Sequence, residues 1–416
     1  MFEATLRYNS NSDKHPIETS GEFLDSLITP GRMLAANAQA LPSNLQNYAD
    51  EYGIEYYIEP SLADFRVGTD FRDESNNLRE WHTKYATQIN DRLTSLLAEH
   101  RTVSAADLPD DDLKAFTKAD VVFQENFVPN QLDEQRGKYE DLDQDAYRPK
   151  AVVPWFHKIQ AESDLEVNSK ILDAAREAAT LPLKPCLFVE QEVLSYAENR
   201  RQLAKLLTVH GIDQCFVWVE GLAKHETDED TYVWVAELVQ TLTEEGIDPH
   251  FFYGDHFATV LSHLGATGTT YGTMYGEDAE EQRERRSGDG VATRYYLREV
   301  RDFVKIPAAV DIQQRVDADM CPCDVCQRQF DTWQDLAVRD QDDDQNIQTP
   351  MKKHHLRARW RQIQTVASEP LDETLERLDS DYRMYSPAHS VSNQVAGDKK
   401  LDYLQRWRYA IRTVQS

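Results

Sequence analysis

The 416-residue sequence predicts an α/β protein, a TIM-type (β/α)8 barrel followed by a zinc-binding subdomain and a helical tail. Three observations carry this expectation. From residue 151 onward, short apolar runs alternate with amphipathic stretches of helical spacing, the pattern of parallel βα units. No glycine-rich phosphate fingerprint follows any strand-like run, which counts against a dinucleotide-binding sheet. Finally, Cys321-Pro322-Cys323-Asp324-Val325-Cys326 places three of the five cysteines within six residues, beyond the last βα unit. The expected divisions are 1–315 for the catalytic barrel, 316–368 for the zinc-binding subdomain and 369–416 for C-terminal helices packed on the body.

Residues 1–30 carry Phe2, Leu6, Phe23, Leu24 and Leu27 among polar residues, as an opening hairpin or cap would. An apolar strand is expected at 33–40 and a helix at 44–52. Tyr56-Tyr57-Ile58-Glu59 reads as a strand, and Pro60 forces Glu59 into extended geometry. Helices are expected over 76–118, broken at Pro109, then a strand at 120–125 whose following loop holds Asn126 and Pro129. Further strands are expected at 151–156, 184–190, 214–220, 250–254, 267–271 and 308–312. The helices between them are expected at 168–179, 195–210, 230–244, 257–264 and 291–303. Two more helices, 369–378 and 400–414, flank a polar linker at 385–398. In the second, Leu401, Tyr403, Leu404, Trp407 and Ile411 supply a docking face.

Acidic residues outnumber basic ones 73 to 45, a formal net charge of −28 with a pI near 4.8. A hydrated acidic surface of this kind points to a salt-adapted cytoplasm. Such a charge ordinarily argues against nucleic acid, but in molar salt phosphate attraction is screened and counterion release contributes little. Cys186 and Cys215 lie in apolar runs and read as core residues, so a reducing compartment is expected. The first residues do not resemble a signal peptide, and no apolar run reaches membrane-spanning length. These features predict a cytoplasmic protein without a membrane partner.

Three thiolates at the spacing of Cys321, Cys323 and Cys326 can converge on one small ion, and tetrahedral zinc accepts an imidazole as fourth ligand. His354 and His355 follow Cys326 by 28 and 29 residues at the start of a helix-like run. Spacing alone leaves both open. Four protein ligands leave no open position, so the expected Zn2+ is structural.

In a TIM barrel the chemistry lies where strands end. Those ends offer Glu59, Glu125, Glu190 with Gln191, Glu220, Asp255 with His256, and Thr270. Several carboxylates at one mouth suit acid/base and nucleophilic chemistry on a sugar. One attacks the anomeric carbon and another shuttles a proton. Glu220 is the expected nucleophile, Asp255 the second choice, and Glu59 the general acid/base. Local positive charge is densest at Arg283, Arg285 and Arg286, after the Thr270 run, and at Lys352, Lys353, Arg357, Arg359 and Arg361 beside the histidines. These segments are the expected phosphate contacts. Trp155, Phe156 and Tyr253 are aromatic residues at strand ends that could stack on a planar ring.

The CxCxxC run with a histidine behind it, after a βα barrel, resembles the zinc site of the tRNA-guanine transglycosylases. These enzymes exchange a guanine in nucleic acid for a 7-deazaguanine through a covalent intermediate. The family's histidine opens a helix, which favours His354. Glu220-Gly221-Leu222 is similar to the family's Gly-Gly-Leu turn, Tyr253-Gly254 to its Val-Gly step, and Leu264-Gly265 to its Leu-Gly step. Phe188-Val189-Glu190-Gln191 is similar to a strand ending in a base-recognising glutamine, which implies that role for Gln191. The resemblance implies substrate contacts at Gly221, Leu222 and Gly254. It departs at Thr269-Thr270-Tyr271, where Thr270 stands at the position of the nucleophilic aspartate. It departs again at Ile58-Glu59-Pro60-Ser61, which replaces an Asp-Ser-Gly-Gly-Phe-Gln turn. The acidic-Pro step is closer to the divergent branch that inserts deazaguanines into DNA, the DNA-guanine transglycosylases. The resemblance therefore implies base exchange on DNA, with a 7-deazaguanine base as co-substrate. It leaves open a homodimer or the partner proteins of a DNA-modification system. The same exchange on tRNA is the alternative, and a catalytically inactive nucleic-acid-binding barrel is a third reading.

Overall fold

The computed structural model describes residues 2–66, 69, 71–99, 101–136, 143–273, 293–341, 346–392 and 400–415. β1 (Glu3–Arg7) and β2 (Ser26–Pro30) are parallel neighbours, with Thr5 opposite Ser26. The opening segment therefore supplies two strands of the main sheet, not a hairpin or cap. A parallel pair needs a crossover, and here α1 (Lys14–Glu18) lies within it. The apolar stretch expected as a strand at 33–40 is instead α2 (Gly31–Ala36) leading toward α3 (Ala40–Tyr52). β3 (Glu55–Glu59) then pairs with β2, with Glu59 opposite Pro30.

α4 (Glu80–Ile89) and α5 (Asp91–Ala98) precede α6 (Asp110–Arg136). α6 absorbs the strand expected at 120–125, and Asn126 and Pro129 are helical, not in a loop. The burial explains why. Asp120, Val121, Gln124 and Val128 are wholly buried while Val122 is 52% exposed, a helical stripe and not an alternation of two faces. α7 (Glu162–Ala178), β4 (Cys186–Val189), α8 (Ala197–Val209), β5 (Gln214–Val219), α9 (Glu229–Glu244), β6 (Asp248–Phe251), α10 (His256–Val260) and β7 (Gly268–Tyr271) follow in βα alternation.

The seven strands form one parallel sheet in the order β3-β2-β1-β7-β6-β5-β4. The run expected as a strand at 151–156 makes only isolated bridges, Val152 to Leu183 and, further on, Ile159 to Val189. Its backbone is satisfied from several directions. Lys150 N–H donates to the Tyr56 carbonyl at 2.9 Å. The Gln124 side chain from α6 takes both polar groups of Val153, at 2.7 and 3.0 Å, so that residue has no ladder bonds left to give.

Strands buried on both faces read as near-continuous apolar runs, and the sheet interior is filled with rings. Phe188 stacks on Trp218 at 3.9 Å, and Trp218 on Phe252 at 5.9 Å. Toward the strand starts lies a buried polar cluster. Glu3 accepts from Ser26 at 2.6 Å and from Tyr57 at 3.1 Å. The Lys184 amine lies 3.2 Å from both the Tyr57 hydroxyl and His250 Nδ1, and His250 Nε2 lies 3.2 Å from the Thr270 hydroxyl. Burial pushes Lys184 down to about 8 and His250 down to about 4. Burial alone would raise the Glu3 carboxyl, but His250 and Lys184 overcome it and hold the group well below its usual range.

Beyond the sheet the segment expected as a helix at 291–303 forms an antiparallel hairpin, β8 (Arg294–Leu297) and β9 (Asp302–Lys305). The strand expected at 308–312 is α11 (Ile306–Arg315), with Pro307 in its first turn, a favoured helix start. Its residues Ile306, Ala308, Ala309, Val310 and Ile312 are all buried, so apolar periodicity could not distinguish the two states. α12 (Asp324–Gln329), α13 (Trp333–Asp340) and α14 (Gln348–Ser368) follow. α15 (Leu371–Val391) runs into the expected 385–398 linker, and α16 (Tyr403–Gln415) ends the description. Trp407 of α16, wholly buried, packs against Tyr232 of α9 and Phe257 of α10. Among the described residues no helix is long and apolar enough to cross a membrane.

Candidate functional site

Cys321, Cys323, Cys326 and His354 converge. Their ligand atoms all lie within 4.8 Å of one another, and all four residues are buried. Local geometry builds most of this. Cys323 caps α12, its sulfur accepting from Cys326 N–H at 3.4 Å, so one helical turn brings both sulfurs to the same side. His354 sits in the second turn of α14, with Nδ1 3.4 Å from the sulfurs of both Cys323 and Cys326. A tetrahedral zinc with Zn–S near 2.3 Å and Zn–N near 2.05 Å has an N···S edge of about 3.6 Å, so the cluster fits such an ion. His354 Nε2 lies 2.8 Å from the Tyr296 carbonyl. A carbonyl only accepts, so Nε2 carries the proton and Nδ1 presents its lone pair to the sulfurs. Tyr295 stacks on the imidazole at 4.3 Å, and its hydroxyl reaches Cys326 Sγ at 3.4 Å. His355 is turned elsewhere, with Nδ1 3.0 Å from the Thr273 carbonyl and its ring against Phe303 at 4.5 Å. The cluster is thus a buried Cys3His set able to hold a metal ion such as zinc.

The second polar region lies at the C-terminal ends of the strands. Arg7 closes β1 and Glu59 closes β3, and their side chains meet at 2.5 Å. The Arg7 guanidinium lies over the rings of Tyr253, at 4.3 Å, and Phe252, at 5.0 Å. Arg32 pairs with Asp64 at 2.5 Å. Lys158 joins Glu190, at 3.1 Å, to Glu220, and Gln160 adds a bond to Glu190 at 3.0 Å. Arg66 lies 5.0 Å over Phe188. The mouth is therefore a set of cation–carboxylate pairs resting on the aromatic interior. Burial raises the Tyr253 hydroxyl above its ordinary range, which keeps it neutral. Beside Lys158 opens a cavity of about 310 Å³, lined among others by Arg66, Asp107, Trp155, Phe156 and His157.

The other sequence-predicted residues fall in several places. Gln191 donates to the Glu220 carbonyl at 2.8 Å. Gly221 has φ 68°, and a Cβ there would lie 3.0 Å from Gln191 Nε2, so glycine permits both the turn and the approach. Leu222 is buried beside it. Gly254 lacks room for a Cβ, which would meet the Thr269 hydroxyl. Asp255 caps α10, accepting from Phe257 N–H at 2.8 Å. His256 lies 2.9 Å from Arg359. Glu125 is not at a strand end. It sits in α6 and binds Arg148 at 2.8 Å and the backbone of Thr180 and Leu181. Thr270 points into the interior toward His250, away from the mouth. Arg7, Arg32, Asp64 and Lys158 escaped sequence reasoning. The period-two order Glu3, Thr5, Arg7 against Ala4, Leu6 was the signal for the strand that carries Arg7.

The basic residues on α14 are turned largely inward. Lys352 is buried, its amine 2.9 Å from Ser12 and 3.2 Å from Asp13. Lys353 approaches His15 at 3.3 Å. Arg357 pairs with Asp324 at 2.5 Å and covers the Phe23 ring. Arg359 is wholly buried, whereas Arg361 is exposed. These contacts clamp α14 to the N-terminal segment and to α12. Arg283, Arg285 and Arg286 lie outside the described residues.

No protein-family model matches the chain, and no curated protein matches it. Among solved structures the chain is similar to xylanase B from Clostridium stercorarium F9, at 12% identity and a TM-score of 0.31, over 65% of this chain and 85% of that one.

Proposed function

We propose that this chain is a transglycosylase that exchanges guanine in DNA for a 7-deazaguanine base through a covalent glycosyl–enzyme intermediate. The observation that carries the reading is the Cys3His cluster, built from the CxCxxC-and-histidine order of the transglycosylases and standing behind a parallel βα sheet. The sheet is read as a closed eight-stave barrel in which 150–153 completes the ring. The backbone bonds of that segment toward Tyr56 on one side and Leu183 on the other support this. The zinc is structural, since three thiolates and one imidazole fill a tetrahedral shell. It would fix α12 and α14 against the β8–β9 hairpin, and no reaction step runs through it.

At the mouth, carboxylates from different strands flank the place where a flipped nucleotide would enter. Base exchange asks one of them to attack C1′ and a second group to supply and recover a proton. Glu59 with Arg7 and the Lys158–Glu190–Glu220 group provide two such units. The cell setting is a salt-adapted cytoplasm, and DNA is favoured over tRNA by the Glu59-Pro60 step.

The test incubates purified protein with a labelled DNA duplex, or with tRNA, and a 7-deazaguanine, and measures guanine release and the nucleosides formed. Release from DNA supports the proposal, and release from tRNA alone moves the substrate. A second reading, a nucleic-acid-binding barrel without chemistry, is favoured by the inward-facing Thr270. Binding with no release on either nucleic acid would establish it.

A further inference from the structure

We infer that Glu59, not Glu220, is the carboxylate that attacks the sugar, and that Arg7 is the residue that positions it. The inference rests on the base-exchange reading above. A nucleophile must be held within a fraction of an ångström of its line of attack, and strands hold side chains better than loops. Glu59 is the last residue of β3, in register with Pro30 of β2, and the extended Pro60 follows it directly. Its side chain keeps 11% exposure, with Oε2 fixed on Arg7 at 2.5 Å. Arg7 is itself a strand end, 5% exposed, and sits over the Tyr253 and Phe252 rings. Carboxylate and cation are thus both anchored by the sheet. The Arg7 Nη1 is buried and has no hydrogen-bond partner among the described residues. That leaves one donor of the pair for a sugar or phosphate oxygen of an entering nucleotide.

The alternatives are held differently. Glu220 lies just past β5, with its side chain 23% exposed, and meets a lysine amine that also serves Glu190. An ammonium shared by two carboxylates suits proton transfer. Glu59 suits the opposite task, because Arg7 fixes one of its oxygens at the strand end and so orients the carboxylate. Asp255 is committed to the cap of α10. In the forward step Glu59 Oε forms a bond to C1′ as C1′–N9 breaks. The electron pair leaves on the guanine, which takes one proton from the Lys158–Glu220 pair. In the return step the incoming base gives its N9 proton to that pair, its nitrogen bonds to C1′, and the ester breaks to restore the Glu59 carboxylate.

The test uses the wild-type chain, a labelled guanine-containing duplex and no incoming base. The trapped adduct is quenched in acid, digested and sequenced by mass spectrometry. The deoxyribosyl increment is expected on the peptide bearing Glu59. An increment on Glu220, Asp255 or any other carboxylate overturns the inference and leaves base exchange standing. No adduct with either DNA or tRNA overturns both. In parallel, Arg7→Gln is expected to slow adduct formation at least about tenfold at saturating DNA and unchanged circular dichroism, with Arg7→Lys recovering part of the rate. A wild-type rate in Arg7→Gln overturns the role of Arg7, as does an Arg7→Lys variant no faster than Arg7→Gln.

Discussion

The Cys3His cluster and the strand-end cluster of this protein are assembled in opposite ways. At the Cys3His cluster three of the four ligands come from six consecutive residues, and the fourth arrives on one long helix. The groups all direct lone pairs toward one point, so the set could hold a shared cation. At the strand ends four described carboxylates face cations of the protein, Glu59 with Arg7, Asp64 with Arg32, and Glu190 and Glu220 with Lys158. Each partner comes from a separate part of the chain. The first cluster is a set of donors able to hold an ion. The second is balanced by the protein's own cations.

The largest expected effect breaks the first half of this contrast. Cys323→Ser removes the ligand that also caps α12. Metal content by elemental analysis and the melting temperature should fall together, the latter by at least about 10 °C. Full metal content with unchanged melting would remove Cys323 from the ligand set.

A buried carboxyl without a cation partner among the described residues sharpens the contrast. Asp120 is fully buried and accepts from the Tyr85 hydroxyl, at 2.5 Å, and Gln124, at 2.9 Å. Burial pushes it up to about 7, and the two hydrogen bonds only partly oppose this. A raised folded-state value means that the folded chain binds the proton more tightly than the unfolded chain. Its stabilising contribution is complete below about pH 4 and is lost as pH rises through about 7, a change on the order of a few kcal/mol. In denaturant titrations across that window Asp120→Asn should flatten this component of the pH dependence. Equal slopes in the two proteins would refute the assignment.

Smaller effects probe the mouth. Gly221→Ala should cost about 1–2 kcal/mol, because φ 68° strains any residue with a Cβ. It should also push Gln191 off the Glu220 carbonyl, which would be read as weaker binding of the free base. Unchanged stability and binding would remove the turn from the site. Asp255→Asn should be the mildest, within about 0.5 kcal/mol, since asparagine caps a helix as well as aspartate does. If that variant kept its melting temperature but formed no adduct, Asp255 would belong to the chemistry and not to the cap alone.

What could be read from the chain was whatever short-range geometry dictates. The CxCxxC spacing named its three sulfurs because covalent reach and one helical turn decide where they lie. β4 and β5 were visible because strands buried on both faces read as near-continuous apolar runs. β1 and β2 were not visible, because Glu3, Thr5, Arg7 and Ser26 point into polar clusters and interrupt the apolar pattern. Local composition also could not separate strand from helix at 308–312, where burial on most sides removes the period. The choice between His354 and His355 needed the direction of α14 relative to Tyr296 and Thr273. The pairing of Arg7 with Glu59, 52 positions apart, needed the register of β1, β2 and β3. Contacts of that kind are decided by which strands lie side by side, and no local preference of either residue encodes the other.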